Sequence, residues 1–190
     1  MRVAVYGGSF DPPHAAHVLL ASYLLAIGGF ERVLVVPVYE HAFGKRLTPF
    51  EHRVAMCRAC FAALRGVEVL DVEADLPKPN YTLRLIERLR ELNPADELSL
   101  VVGSDVLAET QKWHAFERVA ELAPPFIVPR KGHERPGLGR PLLPELSSTE
   151  VRELLSRRSD PAVAADIASI VPRNVLEYVD AHGLYPSMLA

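Results

Sequence analysis

The sequence predicts an α/β fold built on a parallel, doubly wound sheet, and three observations carry that prediction. Short β-branched runs, "RVAVY" (2–6) and "RVLVVPV" (32–38), read as strands buried on both faces. Helical stretches alternate with such runs through about residue 130. Past a Gly/Pro/Arg loop, "RKGHERPGLGRP" (130–141), the chain is helical to its end.

The first strand leads into an apolar helix over about 14–27, ended by Gly28-Gly29. After the second strand come a helix over about 49–64 and a third strand, "VEVLDV" (67–72). In "YTLRLIERLREL" (81–92), Leu83, Leu85, Ile86, Leu89 and Leu92 form a helical stripe. "ELSLVVG" (97–103) is a fourth strand, "HAFERVAELA" (114–123) a helix and "FIVP" (126–129) a fifth strand. "STEVRELLSR", "AVAADIASI" and "PRNVLEYVDAHGLY" are the closing helices. The last has Pro172 in its first turn and Gly183 as its C-terminal cap. The expected architecture is a single Rossmann-like domain over residues 1–190 with a helical C-terminal tail.

Composition narrows the partners. With 49% hydrophobic and 24% charged residues in 190, the chain can bury an ordinary core. A net charge of −3 argues against a nucleic-acid or anionic-membrane surface, but leaves room for a small basic pocket. "VLLASYLLAI" is apolar over ten residues, half of the ~20 that span a bilayer. Met1 runs straight into a strand, so no export signal is expected and the cytoplasm is the expected location. Cys57 and Cys60 lie on a helical stripe with no second cysteine pair. They read as buried residues of a protein in a reducing compartment, not as a zinc or redox site.

The chemistry concentrates in "VYGGSFDPPHAAH" (5–17). Gly7 and Gly8 sit at the carboxyl end of a strand, where open parallel sheets bind ligands and where glycine lets a backbone approach one. The dinucleotide pattern G-x-G-x-x-G lacks its third glycine, and no P-loop is present. Instead His14 and His17, three apart at a helix start, share one face. Two imidazoles beside oriented amides suit a polyphosphate, which they can hydrogen-bond as a leaving group departs. Asp11 suits a turn before Pro12-Pro13 better than a metal site with the two histidines. Near the other end, Ser147 with Glu150 reads as a capping box that starts a helix, and Arg152 lies one turn in.

"GGSFDPPHAAH" resembles the motif of the nucleotidyltransferase superfamily that carries H-x-G-H or T-x-G-H. Within it the chain is most similar to the nicotinate-nucleotide adenylyltransferase family, over nearly its whole length. "FEHRVAMCRAC", "NYTLRLIERLRE", "VVGSDVLAETQKW", "LSSTEVR" and "VPRNVLEYVDAHGLY" each resemble family segments. The resemblance implies transfer of AMP from Mg-ATP to nicotinate mononucleotide, giving the dinucleotide deamido-NAD and pyrophosphate in NAD biosynthesis, with Mg2+ as cofactor. It implies that Gly7, Gly8, Ser9 and Phe10 meet the nucleotide, and that His14, His17, Lys45 and Arg152 are catalytic. Gly103, Asp105, Ser147, Ser148 and Thr149 would bind nucleotide, and Tyr81, Thr82, Trp113 and Arg130 the acceptor. Trp113 would stack on the pyridine ring.

The departures from the family pattern are Ala16 between the histidines, Phe43-Gly44-Lys45 after the second strand, Arg84 after the Tyr-Thr pair, and Ser104 between Gly103 and Asp105. Three of them surround the acceptor pocket. Other acceptors therefore stay open: nicotinamide mononucleotide, phosphopantetheine or a polyol phosphate. So do a non-catalytic nucleotide-binding module and a homo-oligomer.

Overall fold

The computed structural model describes residues 1–40, 44, 46–141 and 143–187, apart from the Ala108 side chain. Five parallel strands, β1 (Arg2–Gly8), β2 (Arg32–Pro37), β3 (Val67–Val69), β4 (Glu97–Gly103) and β5 (Phe126–Val128), lie in the order β3-β2-β1-β4-β5. The order reverses beside β1, which makes its carboxyl end the switch point where such sheets bind ligands.

The pleat explains the β-branched runs. Ala4 and Tyr6 of β1, with Val33 and Val35 of β2, enter the core on one face; Val3, Val5, Leu34 and Val36 enter the core on the other. The first core is covered by α1 (Ala15–Ala26), α2 (Phe50–Phe61), α5 (Ser148–Leu155), α6 (Pro161–Ile170) and α7 (Arg173–Ala181). The second is covered by α3 (Thr82–Leu92) and α4 (Phe116–Leu122). Cys57 and Cys60 are buried in the first core as free thiols, and burial pushes the Cys60 thiol up to about 12. Leu24, fully buried on α1, anchors that helix to the sheet. Leu24→Ala is expected to destabilise the fold by about 2–5 kcal/mol in urea denaturation. A loss well under 1 kcal/mol would mean that α1 is not packed as described.

Several elements are shorter than the sequence suggests, β3 and α4 for visible reasons. β3 stops at Val69, and a 3-10 turn takes Val72–Asp75, because Glu73 turns inward to accept a hydrogen bond from the Tyr39 amide at 2.8 Å. α4 starts at Phe116, since Ala115 is left-handed at φ 52° and cannot continue a right-handed helix. Between β4 and α4 a second 3-10 turn, Val106–Lys112, delivers Trp113. At the far end, Pro172 is the residue before α7, and Gly183 follows its cap at φ 59°.

Candidate active site

At the end of β1 the chain turns sharply. A side chain on Gly8 would meet the Phe10 ring at 3.1 Å, so the glycine makes room for that ring. Phe10 is itself left-handed at φ 47° and only 1% exposed, packed edge-on against Tyr6. Its ring is a core plug; only its backbone is placed to serve a ligand. The following segment is clamped from several sides. Arg152 donates to the Asp11 carbonyl at 2.5 Å and to Thr149 Oγ1 at 3.1 Å. Ser148 Oγ donates to the Pro12 carbonyl at 3.0 Å, and Tyr185 OH to the buried Asp11 carboxylate at 2.6 Å. Thr48 N–H donates to the same carboxylate at 3.3 Å.

This clamp presents the histidines. His14 caps α1 in an extended conformation, and His17 occupies its first turn, with ring centroids 3.8 Å apart. The His14 N–H donates to His17 Nδ1 at 3.1 Å, which forces the neutral His17 proton onto Nε2. His14 is 2% exposed and its Nδ1 has no partner among the described residues. Arg130, two residues past β5, donates its backbone N–H to the buried Ser104 Oγ at 2.9 Å, while its buried Nε also lacks a partner. Buried polar atoms normally find partners, and these two belong to residues that line one cleft.

The cleft measures about 530 Å³ and is lined by His14, His17, Asp105, Arg130, Ser147 and Ser148, with Lys131, His133, Leu143, Glu145, Leu146 and Glu150. Ser147 Oγ accepts from the Glu150 amide at 3.2 Å and caps α5, whose N-terminus faces this space. A Cβ on Gly103 would meet Asp105 Oδ1, so the bare glycine lets the Asp105 carboxylate lie back over the end of β4. Lys131 and Glu145 pair at 3.2 Å. The 130–141 loop thus contributes lining residues as well as a connection.

The structure separates the expected acceptor residues from this group. Tyr81 precedes α3 and stacks on His114 at 4.2 Å; Thr82 begins the helix. Trp113 meets Phe116 edge-on at 5.7 Å and packs on the second core. Arg84 is held by the Pro77 and Pro79 carbonyls and lies over the Tyr81 ring. Arg130, expected with the acceptor group, stands instead with the histidines. Lys45 and Phe43 lie outside the described residues. Sequence reasoning missed His114, Lys131, His133 and, above all, Arg53. The sole signal for Arg53 was a charge on the stripe of Val54, Met56, Cys57 and Cys60.

Electrostatics refine the role of the pair. Burial, with Arg130 adding repulsion, lowers His14 to about 4; burial, then His14 and Arg130, push His17 well below the usual histidine range. Both are neutral at pH 7 in the free protein, so they meet a ligand as hydrogen-bonding groups rather than as cations. Between roughly pH 4 and 6.5 the unfolded chain binds protons that the folded pair refuses, so the pair makes stability rise with pH in that window. Glu73 opposes it: burial raises its carboxyl to about 7, so the folded protein holds a proton there that the unfolded chain releases from about pH 4.5 upward. Glu73→Gln should therefore steepen the gain in stability from about pH 5 to 7, by up to about 1.4 kcal/mol per pH unit. Equal slopes in urea denaturation of both proteins would refute this assignment.

Central parallel strands, a glycine turn and a cleft of imidazoles, guanidinium and a helix N-terminus define a nucleotide-phosphate-binding α/β protein. Residues 5–154 match the cytidylyltransferase-like family. A protein of Anaeromyxobacter dehalogenans named "probable nicotinate-nucleotide adenylyltransferase" is 46% identical over 187 residues, covering 97% of this chain and 96% of its own. One of Myxococcus xanthus with the same name is 36% identical, covering 97% and 95%. In fold, the chain matches the Plasmodium falciparum nicotinic acid mononucleotide adenylyltransferase solved with NaAD, at TM-score 0.80 and 22% identity, covering 100% and 99%. The chain belongs to the nicotinate-nucleotide adenylyltransferase family of cytidylyltransferase-like proteins.

Proposed function

We propose that this protein transfers the adenylyl group of ATP to nicotinate mononucleotide, forming deamido-NAD and pyrophosphate in NAD biosynthesis. One observation supports the cleft's part above others: His14, His17 and Arg130 line one space with the N-terminus of α5, and His14 Nδ1 and Arg130 Nε are buried without a partner among the described residues. The acceptor's phosphate oxygen attacks the α-phosphorus; that P–O bond forms as the bond to the β-phosphate oxygen breaks, in line and with no covalent enzyme intermediate. The acceptor oxygen is already ionised, so the protein need only position it and stabilise charge. His17 Nε2–H, the Arg130 guanidinium and the amides opening α5 stabilise the departing pyrophosphate. Arg152 acts through the turn it holds, and Ser147 and Thr149 bind at the helix start.

Among the described residues no group of three or more His, Cys, Asp or Glu is placed to hold a metal ion. Mg2+ bound to the ATP substrate would neutralise charge on the triphosphate. Gly7, Gly8, Ser9 and Phe10 approach the nucleotide through backbone, and Asp105 over Gly103 takes a ribose hydroxyl. Tyr81, Thr82 and Trp113 receive the acceptor from the α3–α4 face. No helix among the described residues is long and apolar enough to cross a membrane, and two buried free thiols suit the cytoplasm, where we place the protein.

Pyrophosphate release with Mg-ATP, compared across nicotinate mononucleotide, nicotinamide mononucleotide, phosphopantetheine and glycerol phosphate, tests the acceptor. The expected result is a kcat/KM for nicotinate mononucleotide at least tenfold above the others. Preference for another acceptor would leave the phosphate cleft standing and overturn the pocket.

A further inference from the structure

Arg53 has no part in the cleft, yet it is among the most completely buried side chains, at 1% exposure in a helix of ordinary core residues. Each of its guanidinium nitrogens donates to a backbone carbonyl, and the three carbonyls come from separate turns of chain. Nε bonds Thr48 O at 2.8 Å, Nη1 bonds Ser9 O at 2.9 Å and Nη2 bonds Tyr39 O at 3.2 Å. Only a planar fork can serve three acceptors spread in this way. Around it, the Asp11 carboxylate accepts from the Thr48 amide and the Glu73 carboxylate from the Tyr39 amide. Burial pulls the guanidinium below the usual arginine range, and the Asp11 carboxylate, with a smaller contribution from Glu73, opposes that shift.

The turns joined are informative. Ser9 belongs to the turn that presents the histidines. Tyr39 and Thr48 are the two ends of the connection from β2 to α2, where a second cavity of about 500 Å³ is lined by Tyr39, Thr48 and Arg53 among others. Arg53 lines this cavity and holds the Ser9 carbonyl, so it ties the cavity's wall to the turn that leads to His14 and the histidine cleft. In-line transfer requires the attacking and leaving oxygens on opposite sides of one phosphorus, so the two walls must keep a fixed separation. The histidine turn has other ties, through Ser148, Arg152 and Tyr185. Two of the three Arg53 bonds go to the β2–α2 connection, which depends on it more heavily.

We propose that Arg53 is a positioning residue that sets the β2–α2 connection against the histidine turn and so places the acceptor for attack. The proposal rests on the adenylyl-transfer reading for the identity of the acceptor, and on the three carbonyl bonds for the positioning. Arg53→Lys keeps the charge but serves these carbonyls from a single point; Arg53→Met removes every donor.

The test is steady-state kinetics with nicotinate mononucleotide and Mg-ATP, alongside thermal melting and amide exchange at residues 38–40 and 46–50. Arg53→Lys is expected to melt close to wild type, to raise the acceptor KM at least fivefold, and to leave the ATP KM within twofold. Amide exchange should rise in those two segments and not in β1 or β4. A loss of folded protein alone would lower the apparent kcat and leave both KM values fixed, which would reduce Arg53 to a core residue and overturn the proposal. Unchanged kinetics and exchange would overturn it as well. Should Arg53→Met not fold, Arg53→Lys carries the decision. Should wild-type protein turn over no nicotinate mononucleotide, the adenylyl-transfer reading fails, and the exchange of the two segments still decides the positioning.

Discussion

His17→Asn is expected to lower kcat by roughly two to three orders of magnitude while the protein stays folded and still binds ATP. Asparagine is the informative replacement because its Oδ1 can accept the His14 N–H that His17 Nδ1 now accepts at 3.1 Å, so the start of α1 keeps its partner. What disappears is the Nε2 donor. A donor aimed at charge that develops only in the transition state contributes little to ground-state binding, so the loss falls on kcat and not on the ATP KM. His14→Asn should behave similarly, since His14 is the neighbouring ring at 3.8 Å. Full activity in His17→Asn would remove the imidazole pair from the chemistry and leave the cleft as a binding site alone.

Trp113→Ala is expected to raise the acceptor KM about tenfold or more and to leave the ATP KM within twofold. Stacking of an indole on an electron-poor ring, with the apolar area it covers, is worth about 1.4 kcal/mol or more, and that is a tenfold change. The selectivity follows from placement. Trp113 closes the 3-10 turn after β4 and packs on the α3–α4 side, whereas the histidines face the cleft shared with β5 and α5. Because Trp113 also touches Phe116, the change must be read beside Trp113→Phe and a melting curve. Equal rises in both KM values would place the indole in the packing of α4 instead of at the acceptor.

Much of this molecule could be read in its sequence because the relevant signals are local. β1 and β2 announce themselves as doubly buried strands, and the spacing of His14 and His17 puts both rings on one side of a helix start. Ser147 and Glu150 similarly announce α5. What stayed hidden depends on distant partners. Arg53 looks like one more helical arginine until Ser9, Tyr39 and Thr48 close around it. Tyr185 meets Asp11 across 174 residues of chain, a pairing that no local pattern encodes. Arg130 could be placed at a strand end, but only the β4–β5 pairing and the Ser104 hydroxyl turn it toward the histidines. The shortening of β3 belongs to the same class, since it follows from Glu73 serving Tyr39, 34 residues away.

The most direct test follows the α-phosphate itself. ATP labelled at that position, incubated with the protein, Mg2+ and nicotinate mononucleotide, should deliver its label into a dinucleotide in step with pyrophosphate release. Without acceptor, the label should stay in ATP, and the protein should carry none at any time. Label on the protein would contradict direct in-line transfer, and label in AMP or an unreacted triphosphate with every acceptor would contradict the central assignment.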